Sequence, residues 1–132
     1  MTTELSILGW TLVLAIVQVF LPAAARSRET GVGYNAGPRD EPGPPVGKVT
    51  GRLQRAEKNL FETLPLFAAA VLIANLAHRD GALTLWGAWT YLVMRIIYLP
   101  LYAFGVPVVR SVAWILSVLG LVLILFAVLR PA

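Results

Sequence analysis

The chain has 132 residues, 58% of them apolar and only 14% charged, a balance too apolar for an ordinary soluble domain. With no cysteine, it has no disulfide, no thiolate metal site and no thiol nucleophile of its own. The net charge of +4 is concentrated: Arg26, Arg28, Arg39, Lys48, Arg52, Arg55 and Lys58 hold seven of the eleven basic groups between the first two apolar stretches.

The first stretch, Leu5–Leu21, is long enough to cross a hydrocarbon core, which takes about 20 helical residues. Met1–Ser6 before it carries Glu4 and no Lys or Arg, the wrong leader for a secretory signal, so a retained membrane helix over 5–24 is expected. Pro22 is expected to end or kink it. Gln18 reads as an interhelical hydrogen bond. Residues 25–50 are rich in Gly and Pro and lack apolar periodicity, which predicts a loop without regular structure.

The second apolar stretch, Leu64–Ala77, has 14 residues, about 21 Å of helix at 1.5 Å per residue. It spans a bilayer only if the polar segment before it continues the same helix, giving a helix over 51–78 that carries polar residues into the membrane. Arg52, Arg55, Asn59 and Glu62 fall at offsets of 0, 3, 7 and 10, one sector of that helix, with Lys58 at its margin. Ionisable groups on a face entering a bilayer are costly and commonly line a site. Arg52 reads equally as a snorkelling anchor.

A third helix is expected over 82–104 and a fourth over 107–129, where Pro107 suits a first turn. The turn between the second and third holds the single His78, read as a solvated loop residue rather than a ligand; no metal site is expected. On the third helix Arg95, Tyr98 and Tyr102 share a face, and a Glu62–Arg95 ion pair is the natural structural role for both charges. Tyr98 and Tyr102 read either as belt aromatics or as inward site walls, while Trp86, Trp89 and Tyr91 read as plain belt residues. Arg110-Ser111, with Trp114 one turn on, opens the fourth helix. The chain is thus expected to be one all-α integral membrane four-helix bundle over residues 1–132.

The basic loop over 25–50 is expected in the cytoplasm by the positive-inside rule, with both termini on the periplasmic or lumenal side. The three polar clusters then share one leaflet and form a cationic, hydrogen-bonding pocket with aromatic walls. The basic charge is tied to a membrane face and has no nucleic-acid motif, so nucleic acid is not an expected partner.

The run Arg55-Ala56-Glu57-Lys58-Asn59-Leu60-Phe61-Glu62-Thr63-Leu64-Pro65 resembles the second-helix signature of the MAPEG family, the membrane-associated proteins in eicosanoid and glutathione metabolism. Arg95-Ile96-Ile97-Tyr98 with Tyr102, and Arg110-Ser111, are similar to its third- and fourth-helix elements. The compact chain and its Gly37-Pro38-Arg39-Asp40 loop look like the bacterial branch, which implies a bacterial inner membrane. The resemblance implies a homotrimer with sites between subunits that bind glutathione, or another small thiol, and a hydrophobic small-molecule substrate entering from membrane lipid. Carried over by position, Arg55, Asn59 and Glu62 would grip the tripeptide, Tyr98 and Tyr102 would line the site, and Arg110 and Ser111 would stabilise the thiolate. Arg26 would add a basic contact, and Arg52 and Lys58, from the polar face of the second helix, join the candidates for binding the cofactor. Lys58 stands where glutathione-using members often have Arg, and Trp114 where some have Tyr. The implied activity is that of a glutathione transferase or peroxidase on lipophilic electrophiles. The family's alternative is a non-catalytic lipid-binding or scaffold subunit that serves a protein partner.

Overall fold

A computed structural model describes residues 1–131 of the chain, so the expected domain's last residue, Ala132, lies outside them. Thr2 opens α1 (Thr3–Thr30) by accepting the Leu5 N–H at 3.2 Å. The helix continues through Pro22, past its expected end at 24. Ala23-Ala24-Ala25 favour helix, and the last turn is tied by an Arg26–Glu29 ion pair at 2.8 Å. Gly31, at a φ of 87°, ends it.

The 25–50 stretch is not the unstructured loop expected. It holds the end of α1, a short α2 (Val32–Ala36), and the start of α3 (Lys48–Leu76), three residues earlier than the expected 51. Hydrogen bonds between side chains and backbone replace apolar periodicity, which is why a hydropathy reading passes over it. Asn35 bridges Ser27 (2.8 Å) and Thr30 (3.0 Å), and the Tyr34 hydroxyl donates to the Glu41 carbonyl and accepts from the Gly43 N–H, both at 2.8 Å. Glu29 reaches across to α3, accepting from the Gly47 N–H (3.2 Å) and the Thr50 hydroxyl (2.7 Å). A carboxylate there answers the unpaired amides and positive dipole end of the helix.

α4 (Ala82–Ala103) and α5 (Pro107–Leu129) follow the expected boundaries to within one residue, and Pro65 and Pro100 are absorbed inside continuous helices. Leu60, Leu64, Phe67, Val71 and Ala74 of α3 pack with Ile7 and Leu8 of α1, Tyr91 and Leu92 of α4, and Leu121 and Ile124 of α5. α4 and α5 cross where Gly87 meets Gly120: a Cβ on either would lie 2.5 to 2.6 Å from the other's carbonyl oxygen. Among the described residues there is no strand, and α1, α3, α4 and α5 are each long and apolar enough to cross a membrane.

The radial pattern is that of a protein dissolved in lipid. Trp10, Ile16, Phe20, Leu66, Trp86, Ile96, Leu119 and Phe126 are exposed, while Glu4, Thr11, Gln18, Thr63, Thr84, Arg95 and Ser117 are buried. Apolar groups lose nothing by facing lipid, whereas polar ones must find partners inside. Glu4 accepts from the Thr84 hydroxyl at 2.9 Å, joining α1 to α4. Tyr91 is not a belt residue: it stacks on Phe67 with ring centroids 4.0 Å apart, and its hydroxyl meets Thr63 at 2.8 Å. The hydrogen bond expected of Gln18 is not made among the described residues.

Candidate functional site

One end of the bundle gathers the polar residues of α3, α4 and α5. Ala56, Tyr98 and Ala113 form a small second core there, with Tyr102 packed against it. Helical spacing on α4 puts Tyr98 and Tyr102 a turn apart, and their rings meet edge to face at 5.5 Å. Tyr102 becomes the hub. Arg55 Nε donates to its hydroxyl at 3.2 Å, and the Arg110 guanidinium lies 4.6 Å from its ring centroid. A ring face attracts a cation, so Tyr102 holds two guanidinium groups that would otherwise repel.

Two cavities meet at Arg110. One, about 300 Å³, is lined by Asn59, Tyr98, Arg110, Ser111, Trp114 and Ile115. The other, about 220 Å³, is lined by Arg52, Arg55, Tyr102, Gly105, Pro107 and Arg110. Arg52 has two contacts at this end of the bundle. Its Nη1 donates to the Ala103 carbonyl at 3.4 Å, answering the negative end of α4, and it also walls the second cavity. The turn into α5 brings Gly105 so close that a Cβ there would sit 2.8 Å from the Arg52 Cζ, at a φ of 71° that already favours glycine. Ser111 donates back to the Pro107 carbonyl at 3.2 Å, which places its oxygen at the cavity wall.

Three expected participants stand elsewhere. The Glu62–Arg95 ion pair does not form within the chain; among the described residues the only ion pair is Arg26–Glu29. The buried stripe of α3 runs through Ala56, Leu60, Thr63 and Phe67, so Asn59 borders it while Glu62 points outward and is exposed. Arg95 is instead fully buried, donating from Nη1 to Asn59 Oδ1 at 2.7 Å and lying 4.4 Å from the Tyr98 ring centroid. Lys58 is exposed and lines neither cavity. Arg26 is engaged by Glu29 and by the Pro44 carbonyl at 2.6 Å, and lines neither cavity. Gly105 and Pro107 were missed as wall residues; a Gly-x-Pro step between two apolar stretches was the available signal.

Arg52, Arg55 and Arg110 therefore converge on one cleft with no carboxylate among its lining residues. Guanidinium forks with free donors suit carboxylates and other oxyanions. A separate groove of about 430 Å³, lined by Thr90, Leu116, Leu119, Gly120, Val122, Leu123 and Phe126, runs along α4 and α5. It is almost wholly apolar.

Fold and site together define an integral membrane helical bundle with a cationic, aromatic-walled cleft at one end. Residues 7–130 match the family model of the MAPEG family, and the chain belongs to that family, the membrane proteins of glutathione and eicosanoid metabolism. A search of curated proteins and a search of solved structures each returned no match.

Proposed function

We propose that the chain is a membrane-bound glutathione transferase- or peroxidase-like protein acting on lipophilic electrophiles. The observation that carries this reading is the cleft where Arg52, Arg55 and Arg110 meet around Tyr102 without a carboxylate in the lining. Such a donor set fits glutathione, whose carboxylates and thiolate are all anionic acceptors. When bound, glutathione supplies the nucleophilic thiolate or, toward a peroxide, the reducing equivalents. Arg55 and Asn59 hold the tripeptide, with Arg52 adding positive charge at the second cavity. Tyr98 and Tyr102 orient it. Arg110 favours the ionised thiol, because a neighbouring cation lowers a thiol's pKa. Ser111, whose hydroxyl donates to the Pro107 carbonyl, joins it by turning that single O–H to the sulfur when the ligand is bound. The apolar groove along α5 gives an electrophile a path from the bilayer.

The proposal includes assembly as a homotrimer. Glu62 is exposed beside exposed Phe61, Pro65 and Leu66, and a carboxylate left on a lipid-facing surface is costly. A neighbouring copy that presents a cation or the ligand's ammonium group removes that cost. The basic 25–50 segment is placed in the cytoplasm and both termini in the periplasm of a bacterial inner membrane, after the loop's positive charge. The groove along α4 and α5 also favours a second reading, a non-catalytic lipid-binding subunit of the same fold.

Calorimetry with glutathione, then conjugation assays on wild type and Arg110→Ala, separates the two. The enzyme reading expects binding and a loss of about a hundredfold or more in turnover on removing Arg110. No thiol binding, and no effect of Arg110→Ala, would end it.

A further inference from the structure

Arg95 is the one guanidinium of the cluster that the cleft does not expose. It is buried and, among the described residues, has no carboxylate partner and no hydrogen bond at Nε or Nη2. Its single hydrogen-bond acceptor is Asn59 Oδ1, at 2.7 Å. An arginine can only donate, so the carboxamide has no choice of orientation: its oxygen turns inward and its NH₂ is left for the cleft. Asn59 lines the cavity with Arg110 and Ser111, and among the described residues its Nδ2 makes no hydrogen bond. The Tyr98 ring, its centroid 4.4 Å from the guanidinium carbon, holds Arg95 in turn.

We infer that Arg95 is a positioning residue that locks Asn59 as a pure donor, so that this wall of the cleft accepts only an acceptor group of the ligand, a carboxylate or peptide carbonyl, and rejects its ammonium. The inference rests on the proposed glutathione site and assigns polarity within it. It also differs from a simple structural ion pair, because the charge acts through the amide it orients.

Three variants of the full chain test this in lipid nanodiscs, each with glutathione as the probe in calorimetry. Asn59→Asp gives Arg95 a true counter-ion, so thermal stability is retained, but it turns a carboxylate toward the ligand's acceptor. Binding then weakens by about a hundredfold, as expected for facing like charges. Arg95→Gln removes the lock, since Gln can donate or accept, and binding falls by about tenfold. Arg95→Lys restores it to near wild type, because only one donor of the fork contacts Asn59. Unchanged binding in either Asn59→Asp or Arg95→Gln overturns the inference. A ligand-free readout keeps it separate from the function itself. In isotope-labelled wild type both Asn59 side-chain amide protons should exchange with solvent, and in Arg95→Gln one should become protected. Protection already present in wild type would also overturn it. Failure of wild type to bind glutathione, with the amide signals as described, would overturn the proposed function and leave the lock standing.

Discussion

Substituting Gly105 by Ala probes the wall of the second cavity with a single methyl group. Two costs add. The backbone sits at a φ of 71°, where a Cβ costs about 1 to 2 kcal/mol. The new Cβ would also lie 2.8 Å from the Arg52 Cζ and 2.8 Å from its Nη2, well inside contact distance. Arg52 must therefore swing away and give up the Ala103 carbonyl at 3.4 Å, a long charge-assisted bond worth about 1 kcal/mol. The sum is a loss of about 2 to 3 kcal/mol. Reversible unfolding in mixed micelles, followed by circular dichroism, measures it. Repeating Gly105→Ala in an Arg52→Ala background isolates the contact: only the backbone cost should remain, leaving a coupling of about 1 kcal/mol. A cost equal in both backgrounds would refute the claim that Gly105 exists to admit Arg52. A cost near zero would refute the backbone strain as well.

Gly120→Ala places a Cβ 2.6 Å from the Gly87 carbonyl oxygen and 2.9 Å from the Tyr91 amide nitrogen, both rigid backbone atoms. The α4–α5 crossing must open, and a loss of about 1 to 3 kcal/mol should appear in the same unfolding assay. Glu29→Gln weakens the contacts to Gly47, Thr50 and Arg26 together, so limited proteolysis should cut between residues 37 and 46 faster than in wild type while the four long helices stay intact. Asp80, exposed in the turn before α4, has its carboxyl held above the ordinary range by partial loss of hydration first and by the nearby Glu4 second. A raised carboxyl pKa makes the ionised form unfavourable in the fold, so Asp80→Asn should melt higher than wild type at neutral pH. The gain should vanish below the ordinary aspartate range, where the group is protonated in both states. A constant difference at all pH values would contradict it.

Much was legible in the chain before its folding was considered. A bilayer imposes a length and a hydropathy on any spanning helix, so α1, α3, α4 and α5 could be read from four apolar runs. Proline and glycine placed the ends of α4 and α5 only, and α1 ran on through Pro22 to Thr30. The polar face of α3 was equally visible, because charges within an apolar helix stand out by their cost. The joining of Tyr102 to Arg55 and Arg110 follows from helical periodicity once three helices share an end.

Partner choice was not legible. Glu62 and Arg95 look complementary in sequence, yet α3 is rotated so that its buried stripe passes through Ala56, Leu60 and Thr63, which leaves Asn59 rather than Glu62 facing the guanidinium. Helix rotation is set by side-chain packing across several helices, and no single helix encodes it. Tyr91 went inward for the same reason, drawn by the Phe67 ring and the Thr63 hydroxyl. The 25–50 segment escaped because hydrogen bonds from Glu29, Asn35 and Tyr34 order it, and such bonds leave no periodic trace. By itself the sequence determined a membrane bundle with a charged face, since hydropathy and cost are properties of each residue. Which charge meets which partner was decided only by the tertiary structure, because that depends on the relative rotation of whole helices.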